Sequence, residues 1–264
     1  MLTRTLAVFG LLAILPAFAQ VSSDPQTSVP APRYNDVMRG LVDRLDGTVT
    51  TGNWSGYAVT GSGFTKAEGS WVVPAVTCKS GSQYAVFWVG IDGYSSTTVE
   101  QTGTEAVCNG STPTYSAWYE FCCTEPIITI RSMTVQPGDT MTAAVAYSAG
   151  TGKFTVRIVD QRTGQSFSKT AAVAGAQRTS AEWIAEAPSS GIILPLADYG
   201  TVLFGKDSTG ISGTCYATGA AAHGPIGAFS TIEQITMEKN NVVESIPSSL
   251  SSDGTSFSVT WAAQ

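Results

Sequence analysis

The chain has 264 residues, which is enough for one large domain or two small ones, and 43% of them are hydrophobic. Charged residues make up only 13%, and 14 basic against 20 acidic groups give a formal net charge of -6. Binding to nucleic acid is not expected, because neutralising several phosphates requires clustered Lys and Arg. Sparse charge also limits self-repulsion when carboxylates are protonated, so the composition suits an acidic medium.

The N-terminus has the pattern of a secretory signal peptide. Arg4 precedes an apolar run too short to span a bilayer comfortably, and Ala17, Phe18 and Ala19 form the small-x-small pattern that signal peptidase cleaves. No later segment is apolar over the length of a transmembrane helix. We therefore predict a signal peptide over residues 1–19, secretion, and no membrane association after its removal.

Residues 20–48 are predicted to form a pro-segment. Gln20–Pro32 is rich in Ser, Pro and Gln, which is typical of a disordered linker. Apolar residues then recur at helical spacing after Asn35, a candidate N-cap, and this short helix is predicted to stop at Gly47. The alternative is an N-terminal extension that is never removed. The main domain is expected over residues 49–264.

From Asn53 onwards the sequence predicts β-strands. Phe257, Val259 and Trp261 alternate with Ser and Thr, and a similar alternation recurs over residues 154–158, as expected for strands with one buried face. Gly, Asn, Asp and Ser separate the apolar runs. With no further domain boundary or long helix, the predicted fold is all-β, an antiparallel β-sandwich of the jelly-roll or concanavalin-like kind.

Five cysteines are too few for a disulfide scaffold and lack the paired spacing of a zinc site: Cys78, Cys108, Cys122, Cys123 and Cys215. Export favours one or two disulfides. Cys78 with Cys108 is the first candidate pair, since the two residues bracket a motif-bearing segment. The odd total leaves at least one thiol outside an intramolecular pair, and the sequence does not fix the connectivity.

One histidine, His223, narrows the possible mechanisms. A histidine-rich metal centre is impossible, and a Ser/His/Asp triad would have to use this residue, which lies in AAHGP without a GxSxG nucleophile elbow. Cysteine catalysis would need the same imidazole. Carboxylate chemistry therefore remains, with no metal or other cofactor.

Four motifs follow one another along the predicted β domain. They are NWSG at 53–56, WVGIDG at 88–93 leading to EQTG at 100–103, SAWYEF at 116–121 and AEWIAE at 181–186. In this order and spacing they resemble the glutamic peptidases, the eqolisin family of secreted acid endopeptidases, from about Asn53 to the C-terminus. The resemblance implies two large curved sheets, a site on a concave face, a catalytic pair formed by Gln101 and Glu186, and polypeptide substrates. We expect a monomer.

The same resemblance implies a set of supporting residues that line the cleft or hold the pair. These are Trp54, Gly56, Trp88, Asp92, Gly93 and Glu120. We expect the two tryptophans to form a hydrophobic wall, and Asp92 and Glu120 to orient the pair by hydrogen bonds. The alternative for each tryptophan is ordinary core packing.

In the last motif, Glu182, Ile184 and Glu186 share one face of a predicted strand. By itself this pattern is typical of a strand with a solvated acidic face. The resemblance makes Glu186 the catalytic carboxylate and Glu182 a supporting or solvent-facing residue, and an error in register would exchange the two. A glutamate that titrates near ~4.3 can accept and return a proton in acid, and a glutamine amide stays neutral.

The chain departs from the fungal form of the pattern in two places. Ala187 and Pro188 follow the predicted catalytic glutamate, where an acidic and an aromatic residue are usual, and Cys122–Pro126 replaces a segment rich in aromatics. Subsite preference is therefore not carried over. Two other functions fit a β-rich chain: a jelly-roll glycoside hydrolase using carboxylates such as Glu120 and Glu186, about 5 to 9.5 Å apart, or a noncatalytic carbohydrate-binding sandwich.

Overall fold

The computed structural model describes residues 42–43, 49–122 and 126–262, and strands dominate this part of the chain. The first nine strands are β1 (Val42–Asp43), β2 (Val49–Thr51), β3 (Trp54–Thr60), β4 (Lys66–Val72), β5 (Ser82–Ile91), β6 (Val99–Asn109), β7 (Thr112–Cys122), β8 (Ile128–Thr129) and β9 (Thr140–Ser148). The other nine are β10 (Lys153–Asp160), β11 (Ser166–Ala171), β12 (Ser180–Glu186), β13 (Thr201–Gly205), β14 (Tyr216–Thr218), β15 (His223–Pro225), β16 (Ile232–Lys239), β17 (Val242–Pro247) and β18 (Ser256–Trp261). Helical structure is limited to α1 (Lys206–Thr209) and a 3₁₀ turn (Ile226–Ala228) among these residues. None of the helices described is long and apolar enough to cross a membrane.

The predicted signal peptide and most of the predicted pro-segment lie outside the described residues. Val42–Asp43, inside the predicted short helix, instead forms β1 and pairs antiparallel with β2. At these two residues the helix prediction is wrong, because pairing with a neighbouring strand overrides local helical spacing. The boundaries at residues 19 and 48 stay predictions.

One layer of the fold contains seven antiparallel strands in the order β8, β7, β6, β5, β12, β3 and β16. Strand β12 comes from the second half of the chain and inserts between β5 and β3. It therefore becomes a cross-strand neighbour of residues that precede it by roughly a hundred positions. At the far edge, β2 runs parallel to the middle of β16, at Ile235–Met237.

The second layer continues from β17 through β18, β13, β4 and β9 to β10 and β11, with β14 and β15 extending beside β4. The two layers are joined by ladder hydrogen bonds in the β16–β17 hairpin, where the register shifts between Met237 and Glu238. Asn240 and Asn241 have φ of 53° and 63°, the left-handed pair that a two-residue hairpin turn requires. The predicted antiparallel β-sandwich is confirmed, with its two sheets connected at this hairpin.

The main hydrophobic core lies between the layers. Phe87 and Trp183 enter it from the first layer and Trp71 from the second, and all three are buried. The Trp71 indole donates to Thr104 Oγ1 at 3.0 Å and the Trp183 indole to the Glu68 carbonyl oxygen at 2.8 Å. The indole N–H groups of Trp71 and Trp183 are thus satisfied across the layers, which helps to fix how the layers meet.

A second apolar cluster covers the opposite face of the first layer, which we call the site face. Its buried members are Val49, Trp54, Ala58, Val86, Trp88, Val99, Trp118, Cys122, Ile184 and Ile235. Side chains alternate along a strand, so Ile184 on this face places Glu182 and Glu186 beside it, while Trp183 and Ala185 enter the main core. The predicted division of β12 into two faces is confirmed.

A disulfide joins Cys78 to Cys108, with 5.5 Å between their Cα atoms, and confirms the first candidate pair. It ties the segment before β5 to the end of β6. Cys215 is a free and buried thiol, and burial raises its pKa to about 12. Cys123 lies outside the described residues.

Candidate active site

Gln101 and Glu186 project from the same face of the first layer. Gln101 of β6 is paired with Gly90 of β5, and Glu186 of β12 is paired with Val86 of β5. Gly90 and Val86 are four residues apart on one strand, so side chains at their levels leave the same face. The two predicted catalytic residues therefore flank β5 on the site face, and both are fully buried.

Two donors hold the Glu186 carboxylate. The Trp88 indole N–H donates to Oε2 at 2.8 Å, and Asn53 Nδ2 donates to Oε1 at 3.4 Å. Trp88 packs edge-on against Trp54 with ring centroids 4.9 Å apart, which orients the indole. Asn53 is not among the predicted site residues, although it is the first residue of the NWSG motif. Its place in that motif, and an amide group that can donate to a carboxylate, are the signals that could have identified it.

Glu120 orients the Gln101 amide. The two residues are cross-strand partners on β6 and β7, and Gln101 Nε2 donates to Glu120 Oε2 at 3.1 Å. A hydrogen bond of this kind fixes which way the amide is turned. The structure thus brings together Gln101 with Glu120 and Glu186 with Trp88, as two oriented pairs on either side of β5.

The remaining predicted residues of the motifs have mainly structural contacts. Trp54 and Trp88 are 0% exposed and belong to the apolar cluster of the site face, and their role as a hydrophobic wall of the cleft stays a prediction. Gly56 has φ 143°, and a Cβ there would lie 2.2 Å from the Trp183 carbonyl oxygen. Gly93 has φ 102°, and a Cβ there would lie 3.0 Å from the Trp54 ring. Both positions require the absence of a side chain.

Asp92 anchors a loop and does not hold the predicted pair. Its carboxylate accepts the backbone N–H groups of Gln177, Arg178 and Thr179 at 2.7 to 2.8 Å and the Thr179 hydroxyl at 3.2 Å. Asp92 itself has φ 71° and is fully buried at the end of β5. Four donors compensate the buried charge. The predicted role of Asp92 in orienting the pair is therefore replaced by attachment of the loop before β12.

Two more carboxyls of the motifs are buried beside the predicted pair. Glu182 is level with Gly90 and so shares a row with Gln101, whereas Glu100 is level with Ile91 and Phe121 and therefore lies on the main-core side of β6. Burial raises the pKa of Glu100 to about 9, and the nearby charge of Asp92 contributes. Burial also raises the pKa of Glu182 well above its ordinary value. Because Glu182 and Glu186 are both 0% exposed, β12 does not carry a solvated acidic face.

The histidine lies elsewhere in the fold. His223 is on β15 of the second layer, where its Nδ1 is 2.9 Å from Thr218 Oγ1. In the described part of the chain, no group of three or more His, Cys, Asp or Glu side chains is arranged to hold a metal ion. The chemistry that the site face itself offers is an amide and a carboxylate.

An antiparallel β-sandwich with a carboxylate and an amide oriented on one face is the arrangement expected of a glutamic peptidase. The model of the Peptidase A4 family matches residues 52–261, and the chain belongs to this family. It is 32% identical to aspergillopepsin-2 of Aspergillus niger over 189 residues. That alignment covers 61% of this chain and spans 66% of the curated relative's length. The predicted family is confirmed.

Solved structures agree with the family assignment. Scytalido-glutamic peptidase with a transition state analog inhibitor matches with a TM-score of 0.66 and 25% identity, over 80% of this chain and 98% of that chain. Aspergilloglutamic peptidase from Aspergillus niger matches with a TM-score of 0.56 and 28% identity, over 68% of this chain and 99% of that chain. These similarities favour a peptidase over the two carbohydrate-directed alternatives.

Proposed function

We propose that this protein is an endopeptidase that hydrolyses polypeptides in acidic media with Gln101 and Glu186 as its catalytic pair. The placement of the two residues carries the proposal: they lie on one buried face, flank β5, and are each oriented by a partner, Glu120 or Trp88. The similarity to a glutamic peptidase solved with a transition state analog inhibitor supports it.

In the proposed reaction, ionised Glu186 takes a proton from a water molecule as the water oxygen forms a bond to the scissile carbonyl carbon. The Gln101 amide N–H donates to the oxyanion of the tetrahedral intermediate. Protonated Glu186 then transfers its proton to the leaving nitrogen as the C–N bond breaks, which regenerates the carboxylate. A general base typically contributes about 10²- to 10⁴-fold, and one oxyanion donor about 2.7 to 4 kcal/mol.

The residue types suit an acidic medium. A glutamate in water titrates near ~4.3, so it can serve as base and then acid where an imidazole would be permanently protonated. The glutamine amide keeps the same donors and acceptor at every pH. The acidic limit of activity is therefore set by protonation of the base, and the oxyanion donor imposes no limit of its own.

The proposal also includes secretion and maturation. A signal peptide over residues 1–19 is removed on export, residues 20–48 form a pro-segment, and residues 49–264 form a monomeric peptidase domain. The Cys78–Cys108 disulfide is of the kind that persists in oxidising compartments and supports export. N-terminal sequencing of protein recovered from the medium would locate both junctions.

The catalytic assignment is tested by cleavage of a denatured protein substrate across acidic pH. Gln101→Ala is expected to lower kcat about 10²- to 10³-fold through loss of the oxyanion donor. Glu186→Gln is expected to lower it about 10²- to 10⁴-fold through loss of the base. The matched controls are Glu68→Gln, on β4, and Gln161→Ala, directly after β10. Both residues belong to the second layer, so both variants should retain wild-type kcat.

Circular dichroism at acidic pH would establish that each variant is folded. Cleavage at the wild-type rate by folded Gln101→Ala or Glu186→Gln would refute the assignment. Retained cleavage by Glu186→Gln together with its loss in folded Glu182→Gln would assign the base to Glu182, the other carboxyl of the same face of β12.

A further inference from the structure

A buried cluster of three carboxyls joins the strands that carry the proposed catalytic pair. Asp92 follows β5, Glu100 lies on β6 next to Gln101, and Glu182 lies on β12. All three are 0% exposed, and they are near enough to act on one another electrostatically. We call these three residues the carboxyl cluster. Any change in its charge acts directly on the strands of the site face.

The members of the carboxyl cluster differ sharply in their hydrogen bonding. Asp92 accepts four hydrogen bonds from the loop before β12, so both of its buried oxygens have partners. By contrast, none of the four carboxyl oxygens of Glu100 and Glu182 has a hydrogen-bond partner among the described residues. The hydroxyls of Thr98 and Ser180 lie close enough to lower the pKa of Glu100 and Glu182, against the larger effect of burial, yet neither makes a hydrogen bond of ordinary geometry.

The polar groups around Glu182 include other carboxyls. Glu182 shares its row on the site face with Glu233 of β16 and Glu120 of β7, and Asp92 faces it from the loop. The cross-strand neighbours of Glu100 are the apolar Ile91 and Phe121 of the main core, so Glu100 is buried on the core side of the layer and Glu182 on the site face. Arg178, on the loop that Asp92 holds, directs its guanidinium over the Tyr147 ring at 4.1 Å.

We propose that Glu100 and Glu182 form a pH-sensitive lock on the folded state, packed as neutral acids at acidic pH and forcing the site end of the first layer to unfold when they ionise. An ionised carboxyl buried without donors or a cation is very costly, so the chain either keeps these protons or opens to solvate the charges. The lock confines the folded peptidase to acidic media whatever the protonation state of Glu186.

The direction of the pH effect follows from proton linkage. Burial and the charge of Asp92 raise the pKa of Glu100 to about 9, and burial raises the pKa of Glu182 in the same direction. The folded chain therefore retains two protons that the unfolded chain releases above about pH 4.3. Stability from this source is complete below that pH and is lost progressively as the pH rises towards the folded pKa values.

The test measures proton linkage directly in the full chain, by urea unfolding followed through tryptophan fluorescence at several pH values from about 4 to 7. In the wild type the free energy of unfolding should fall as the pH rises, and the slope should correspond to the release of at least two protons on unfolding. Glu100→Gln and Glu182→Gln should each reduce the number of protons released on unfolding, the proton count, by one, and the double variant should reduce it by two. The midpoint of pH-induced unfolding should rise by at least about one pH unit in the double variant.

Glu68→Gln is the control, since Glu68 is a partly exposed carboxyl on β4 of the second layer. This variant should keep the wild-type proton count. An unchanged proton count in the double variant would overturn the lock. If the double variant does not fold even in acid, the two single variants are compared with the wild type in the same way. An unchanged proton count in both would then overturn the lock. The measurement needs no peptidase activity, so failure of the proposed function would not be mistaken for failure of the lock.

Discussion

Trp88 combines packing of the site face with orientation of the proposed base. A Cβ added at Gly90 would lie 2.7 Å from the Trp88 six-membered ring, so this ring covers the glycine between Gln101 and Glu182. The indole N–H of the same side chain donates to Glu186. A single residue thus connects the middle of β5 with the carboxylate on β12.

Replacing Trp88 by Phe should keep most of the ring packing and remove the donor. A hydrogen bond to a charged group contributes about 1.5 to 3 kcal/mol, so kcat should fall roughly 10- to 150-fold, with a smaller change in KM. Trp71→Phe is the control, because it removes an indole donor to Thr104 in the main core. Steady-state kinetics of both folded variants is the measurement. Equal kcat for the two would contradict an orienting role of Trp88.

Individual residues of the site differ in how far the sequence could predict them. Alternation placed Glu182 and Glu186 on one face of a strand, and the motif resemblance selected Gln101 and Glu186. Periodicity identifies a face without identifying what covers that face, so the burial of Glu182 and Glu100 was not predicted. The anchoring role of Asp92 depends on a loop about 85 residues further along the chain, and local spacing cannot reveal such a contact.

At the scale of elements, the existence of strands was predictable but their neighbours were not. The register of β12 against β3 and β5 depends on side chains of three separate segments, and a shift of one residue would exchange its two faces. The same dependence on a partner explains β1, where pairing with β2 replaces the predicted helix. Strand order within the first layer therefore required the structure.

Gly56 tests how closely β3 and β12 must approach. A Cβ at this position would meet the Trp183 carbonyl oxygen at 2.2 Å, a backbone atom that cannot move unless the strands separate. Gly56→Ala should therefore combine steric clash with strain at positive φ and destabilise the fold by roughly 2 to 5 kcal/mol. Gly81, with φ 88° and nothing within 4 Å of an added Cβ, is the matched control.

Gly81→Ala should cost only the strain of a left-handed residue, about 1 to 2 kcal/mol. Urea unfolding at acidic pH measures both variants under conditions in which the carboxyl cluster is neutral. Equal losses of stability would show that the ladder between β3 and β12 accommodates a methyl group, and that close approach is not why glycine is needed at residue 56.

At the scale of the whole molecule, two features act on different terms of stability. The carboxyl cluster changes how the free energy of unfolding depends on pH, because it alters the number of protons bound to the folded chain. The Cys78–Cys108 disulfide instead restricts the unfolded chain, since it closes a loop with a sequence separation of 30. A low density of charge, 13% of residues, limits other contributions to the pH dependence.

Replacing Cys78 and Cys108 together by Ala should therefore lower the free energy of unfolding by about 3 to 4 kcal/mol, the loop-closure value for this separation. The loss should be the same at each acidic pH, because no ionisable group of the folded state is changed. Urea unfolding of this variant and of the Glu100→Gln, Glu182→Gln double variant separates the two effects: the first shifts the stability curve, and the second changes its slope with pH. A loss in the cysteine variant that grows with pH would show that the disulfide also supports burial of the carboxyl cluster, and the two features would then not be independent.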